Sequence, residues 1–240
     1  MRFAVISDIH GNRLALEAVL DDIGAHGVDA VLNLGDHVSG PLDPKGVADM
    51  LVDLGGPVIA GNHDRWLKEN TRDAFSPIDR LVSDTLTARQ RDWISALKPT
   101  HVYEGDVFMC HGTPKSDNTV WLDAYYYDRK TTLPDEDVVE AEALGFDYPV
   151  LLCGHTHRAR SVKLRDGRMI VNPGSVGLQF IHGSPDARYA ILERRNGKWS
   201  ATFRVIGYDH EGAARQAEAN GFGGWRNTLV SGWPAPDDLF

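Results

Sequence analysis

Apolar and polar positions come in short blocks along the first third of the chain, and the blocks change period. Residues 2–7 form an apolar run rich in Phe, Val and Ile, of strand length. Residues 12–25 follow with Leu16, Val19 or Leu20, and Ile23 at helical spacing. The pattern then predicts a second buried strand over 30–34, a helix over 46–54 and a third strand over 57–60. Such βαβ alternation points to a parallel core sheet.

A polar helical region comes next, in which Thr87 and Gln90 have capping-box spacing ahead of Trp93, Ile94 and Leu97. An apolar run at 106–110 and an irregular aromatic stretch at 112–133 lead to a predicted helix over 134–144. That helix has Pro134 in its first turn and Gly145 just past its end. Residues 148–153 read as another strand. Beyond them the pattern turns to hairpins, one over 162–171 about Asp166-Gly167 and one joining 189–193 to 199–205 about Asn196-Gly197. The whole reads as one α/β domain over 1–240, with an inserted aromatic loop and helix at 112–147 and a C-terminal helix and tail at 207–240.

Composition narrows the class. Hydrophobic residues make up 42% and charged residues 25%, which excludes a disordered or low-complexity chain. With 25 Lys and Arg against 34 Asp and Glu, the net charge of −9 disfavours duplex nucleic acid as a partner. No apolar stretch reaches the ~18 residues of a membrane span, and residues 1–8 turn polar too early for a secretory leader. The two cysteines, Cys110 and Cys153, form no CxxC pair and read as small buried hydrophobes. The expectation is a soluble cytoplasmic protein with a small-molecule substrate and no membrane partner; self-association into a homo-oligomer stays open.

The chemistry lies just past the end of each predicted core strand. The first is followed by Ser7-Asp8-Ile9-His10-Gly11-Asn12, the second by Gly35-Asp36-His37, the third by Gly61-Asn62-His63-Asp64, the fourth by His111-Gly112 and the fifth by Gly154-His155-Thr156-His157. Ligands of open α/β sheets bind beyond the carboxyl ends of strands, so five segments can converge there. Carboxylate, amide oxygen and imidazole suit Mn²⁺, Fe, Zn²⁺ or Ni²⁺. Two aspartates with four or five histidines exceed the needs of one ion. The count points to two ions sharing a carboxylate, the arrangement that clamps attacking and leaving oxygens in phosphoryl transfer.

These segments, in this order, resemble the calcineurin-like metallophosphoesterases, particularly their small bacterial and archaeal phosphodiesterase members. The match runs through residues 1–157, and Asn172-Pro-Gly-Ser-Val-Gly177 extends it. The resemblance implies a four-layer αββα sandwich, two facing mixed sheets flanked by helices. It implies that Asp8, His10 and His157 bind one divalent ion, that Asn62, His111 and His155 bind a second, and that Asp36 bridges both. His63 would stay off the metals, near the leaving group, and act with Asp36 in catalysis. Mn²⁺ is the first choice of metal, with Fe, Zn²⁺ or Ni²⁺ as alternatives.

The expected reaction is hydrolysis of a small phosphodiester by a hydroxide that bridges the two ions. A phosphomonoesterase or nucleotide phosphatase with the same site is the alternative, and a non-catalytic protein-binding scaffold a more distant one. The protein-phosphatase branch is disfavoured, because no arginine follows Gly35-Asp36 and Asp64 stands where that branch has Glu.

Three further residues are candidates for substrate contact. Asn12 reads equally as a helix N-cap. Asp64 reads either as an orienter of His63 or as a carboxylate suited to the start of a helix. Tyr126 lies in an aromatic and basic segment, 121–130, that can stack a nucleoside or sugar, or serve packing. Among the remaining histidines, His37 adjoins Asp36 and reads as a turn or rim residue.

Overall fold

The first strand is buried on both faces, which is why it reads as a continuous apolar run and shows no alternation. In the computed structural model, which describes residues 1–125 and 131–233, Phe3 and Val5 point one way from this strand and Ala4 and Ile6 the other, into two separate cores. In chain order the elements are β1 (Arg2–Ile6), α1 (Arg13–Gly24), β2 (Ala30–Asn33), α2 (Pro44–Leu54), α3 (Asn62–Glu69), a 3₁₀ turn (Arg72–Ala74), α4 (Pro77–Thr85) and α5 (Ala88–Ala96). Then come β3 (His101–Tyr103), β4 (Val107–Met109), β5 (Ala124–Tyr125), β6 (Thr131–Thr132), α6 (Glu136–Ala143), β7 (Val150–Leu152), β8 (Arg160–Lys163) and β9 (Met169–Asn172). The described chain closes with β10 (Ala187–Arg195), β11 (Lys198–Ile206), α7 (His210–Ala219) and α8 (Trp225–Ser231).

Two mixed sheets face one another. The first has the order β11-β10-β1-β2 and the second β3-β4-β7-β9-β8. The pairs β1·β2, β4·β7 and β7·β9 are parallel, and the hairpins β8·β9 and β10·β11 are antiparallel. Phe3, Val5, Leu32 and Leu34 from the first sheet meet Val107, Met109, Val150 and Leu152 from the second in a shared inner core. The alternate residues face outward. Ala4, Ile6 and Tyr189 pack under α1, α2, α7 and α8, while Phe108, Cys110, Leu151 and Cys153 pack under α6. Period-2 alternation in strands buried on both sides thus produces the expected four layers. Among the described residues no helix is long and apolar enough to cross a membrane.

Local signals account for the boundaries. The Thr87–Gln90 capping box starts α5, and Asn196 and Gly197, both at positive φ, make the two-residue turn between the paired Arg195 and Lys198. Three expectations need correction. Residues 57–60 do not form a full strand: Asn33 exchanges bonds with Pro57 and Ile59, but the Ala60 N–H turns away to the carbonyl of Lys98 at 2.8 Å. The helix expected from Pro134 begins at Glu136, because Asp135 takes the N-cap position. The C-terminal region holds two helices, since Gly221 at φ +90° ends the first and the chain returns to bury Trp225 in the core. Both cysteines are 1% exposed.

Candidate metal centre

β1 and β2 of one sheet and β4 and β7 of the other end at a common edge, where their following loops are stitched together by main-chain bonds. Asp8 N–H donates to Gly35 O (3.0 Å), Ile9 N–H to Asp36 O (2.9 Å), Gly154 N–H to His111 O (2.6 Å) and Gly177 N–H to Asp8 O (3.0 Å). These bonds hold an unusual backbone. Of the seven non-glycine residues with positive φ among those described, five are Asp8, His10, Asp36, His155 and His157. That conformation costs about 1–2 kcal/mol for a residue with a Cβ, and strain of this kind gathers at functional sites. Gly61 serves a different need, close approach: a Cβ there would lie 2.1 Å from Asp36 Oδ1.

The side chains converge in two groups able to hold a cation, Asp8 with His10 and His157, and Asp36 with His111 and His155. Asp36 reaches toward both, its Oδ2 lying 3.1 Å from His111 Nε2 and 3.9 Å from His10 Nε2. Each key imidazole is aimed from behind. The Nδ1–H groups of His10, His111 and His157 donate to the carbonyls of Ser39 (2.8 Å), Leu34 (2.8 Å) and Leu178 (2.5 Å). A carbonyl only accepts, so Nδ1 carries a hydrogen in each ring and Nε2 is the atom turned to the site, presenting its lone pair in the neutral rings of His10 and His157. Nε2 of His10 and Nε2 of His157 then face each other at 3.1 Å, an approach of two lone pairs that a cation bound by both would stabilise. Asp8 Oδ1 and Asn62 Oδ1 are buried and accept no hydrogen bond from the described residues. The residues therefore fit a metal-binding role.

Electrostatics agree. Burial pushes His10 below its ordinary value, and burial together with the His10 charge takes His157 well below it. Burial aided by His111 brings His155 down to about 4. These rings are neutral near pH 7 and free to donate lone pairs. Burial also raises the Asp8 carboxyl to about 6, with His111 and His10 opposing. His111 is the exception: burial alone would lower it, but Asp36 and Asp8 push it up to about 10. A proton on His111 supplies the positive charge that two buried carboxylates demand.

The remaining predicted residues fall into place around this centre. Asn62 is 1% exposed at the first turn of α3. His63 is half-buried, packs edge-on against Trp66 and His10, and donates its N–H to Asp36 Oδ1 at 3.0 Å. Asn12 has its amide engaged by the fold: Oδ1 caps α1 at Ala15 N–H, and Nδ2 donates to Gly177 O and Tyr208 Oη. Asp64 is turned away from His63. Its carboxylate accepts the N–H groups of Asp36 (2.8 Å), Gly61 (2.9 Å) and His37 (3.2 Å), which ties the second and third ligand loops together. His37 is no rim residue. It is fully buried against Trp93, with Nδ1 3.0 Å from Asp64 Oδ2. Tyr126 lies outside the described residues.

Residue reading missed the His37–Asp64 pair and Asn172. The Asn172 amide holds Gly154 O at 2.6 Å and Thr156 Oγ1 at 3.1 Å, bracing the His155–His157 turn; the Asn172-Pro173-Gly174 run was its signal in the sequence.

Comparison with known proteins bears on the same centre. A family model described as the calcineurin-like phosphoesterase superfamily domain matches residues 1–197. An uncharacterized protein of Methanocaldococcus jannaschii is 27% identical over 220 residues, 81% of this chain and 84% of the relative. A crystal structure of a metallophosphoesterase from Sphaerobacter thermophilus, 26% identical, superposes with a TM-score of 0.77 over 97% of this chain and 100% of that one. A hypothetical protein from Pyrococcus horikoshii shares the fold, with a TM-score of 0.79 at 18% identity over 98% of this chain and 99% of that one. With the matched region carrying all five loops that hold the candidate ligands, the chain belongs to the calcineurin-like phosphoesterase superfamily, a family of metal-dependent phosphoesterases.

Proposed function

We propose that the protein is a dinuclear-metal phosphodiesterase acting on a small substrate. Asp8, His10 and His157 hold one divalent ion, Asn62, His111 and His155 hold the other, and Asp36 serves both. The observation that supports this reading is the proximity of two donor groups, with Asp36 Oδ2 of the second group 3.1 Å from His111 Nε2 and 3.9 Å from His10 Nε2 of the first. Two ions bound there supply charge that polarises phosphoryl oxygens and lowers the pKa of a shared water.

The chain's own groups do the rest. Carbonyls of Ser39, Leu34 and Leu178 fix the ligand tautomers, and Asp64 fixes the turn bearing Asp36. His63, held at the rim by Trp66 and its bond to Asp36, is placed to give a proton to the departing oxygen. A diester is favoured over a dianionic monoester by the charges around the site. Among the described residues, the positive charges acting most strongly on Asp8 and Asp36 come from His111, His10 and His63 rather than from arginine or lysine.

The test is to strip the metal, reconstitute with Mn²⁺, and compare bis-p-nitrophenyl phosphate with p-nitrophenyl phosphate. Diester preference is expected, lost together with metal in Asp36→Asn. His63→Ala should keep two ions yet lose about 10²-fold or more in rate, with the larger loss for the poorer leaving group. Monoester preference would overturn the diester assignment. Two bound ions without turnover of either ester would overturn catalysis and favour the scaffold reading.

A further inference from the structure

A cavity of about 360 Å³ has His111 in its wall and so adjoins the metal centre on the side of Asp36, His111 and His155. The rest of its lining comes from two segments, 99–100 and 113–117. The second is rigid: Thr113 and Ser116 exchange main-chain bonds of 2.7 and 3.2 Å, and Gly112 leaves no room for a side chain, a Cβ lying 2.5 Å from Ser116 O. That wall of the pocket is therefore held by its own main chain.

Its chemistry is specific. Thr100, Thr113 and Ser116 bring hydroxyl groups, and Asp117 brings a carboxylate clamped by both nitrogens of an Arg65 fork at 2.6 and 2.9 Å. Each Asp117 oxygen keeps a lone pair for a further donor. Among the described residues the His111 imidazole is the one aromatic ring that lines it, and the segments 99–100 and 113–117 offer a nucleobase no platform to stack on. Its apolar surfaces are Pro99 and Pro114, too little for an acyl chain. Lys115, the one cation among the described lining residues, already donates to Ala141 O at 2.7 Å, and Asp117 offsets its charge, which disfavours a second phosphate.

Resting on the phosphodiesterase reading, we infer that this cavity receives the alcohol portion of the substrate and that this portion is a polyol or sugar, recognised through its hydroxyl groups. Asp117 and the three hydroxyl side chains accept from and donate to it, beside the phosphorus held at the metals.

The test compares three phosphates that share one anionic group: glycerol 1-phosphate, n-propyl phosphate and adenosine 5′-phosphate. Binding to the metal-loaded protein is measured by calorimetry, and backbone amide shifts at the non-proline residues of 112–117 are followed in the zinc-loaded form. Glycerol 1-phosphate should bind about tenfold more tightly than n-propyl phosphate, the size of two net hydrogen bonds, and should shift the 112–117 amides. Thr100→Val and Ser116→Ala, made separately, should each shrink that ratio. Equal affinity for the glycerol and propyl compounds, tightest binding of the adenosine compound, or a ratio unmoved in both variants would overturn the inference. Hydrolysis of bis-p-nitrophenyl phosphate in the same preparations separates this failure from failure of the phosphodiesterase reading, which would abolish turnover itself.

Discussion

Removing the Asp64 carboxylate tests how the ligand loops are held. Asp64 is 1% exposed and belongs to neither candidate cation group, yet it accepts three main-chain N–H groups and stands 3.0 Å from the buried His37 ring. Asp64→Ala leaves those donors buried without an acceptor. Breaking a buried pair by deleting one partner costs about 3–5 kcal/mol. Unfolding entropy near 2.1 cal/mol/K per residue makes 1 kcal/mol worth about 2 °C in a chain of 240 residues. Calorimetry of the metal-free protein should therefore show Tm lower by about 6–10 °C. Metal titration well below that Tm should show weakened binding, because the Asp36 turn is no longer pinned. A Tm within 2 °C of the parent would refute the clamp, and unchanged metal affinity would confine it to stability. The pH dependence has a definite sign. Burial alone would raise the Asp64 carboxyl, but the His37 charge and the hydrogen bonds outweigh it and hold the carboxyl below its ordinary value. The stabilisation is thus complete above the unfolded-state value and lost as pH falls through the lower folded one.

Metal loading at pH 7.5 should release about one proton, from the His111 ring that Asp36 and Asp8 hold near 10; calorimetric enthalpies in buffers of different ionisation heat read this directly, and a zero slope would contradict it. Below about pH 6 the Asp8 proton competes with the cation, so affinity should fall with further acidification; a flat profile from pH 7 to 5 would show that Asp8 is not a ligand. Gly61→Ala forces a Cβ to 2.1 Å from Asp36 Oδ1 and should cost metal retention; a variant binding two ions with parental affinity would show that the loop yields freely. Gly197→Ala, at φ +75° with nothing within 4 Å, should lower Tm by about 2–4 °C through backbone strain alone and leave activity intact.

The core strands that carry the site, and the order of the candidate ligands that follow them, were legible in the sequence alone. Apolar runs bounded by turn residues marked β1, β2, β4 and β7. Asn196-Gly197 marked a hairpin, because few residue pairs tolerate positive φ twice, and Thr87 with Gln90 marked the start of α5. Asp, Asn and His after successive strands marked the place and type of chemistry, because parallel strands deliver their carboxyl ends to one edge. Only the tertiary structure decided how those residues are presented. Asp8, His10, Asp36, His155 and His157 take a left-handed backbone that their side chains disfavour, held by bonds from other loops. The tautomers of three histidines are set by carbonyls of Ser39, Leu34 and Leu178, and a carbonyl is the same group whatever residue bears it. Likewise, the pairing of 57–59 with Asn33 stops at Ala60 because Lys98 offers its carbonyl to the Ala60 N–H. Side-chain type is written along the chain, whereas which main-chain atom meets which side chain exists only once distant segments have packed.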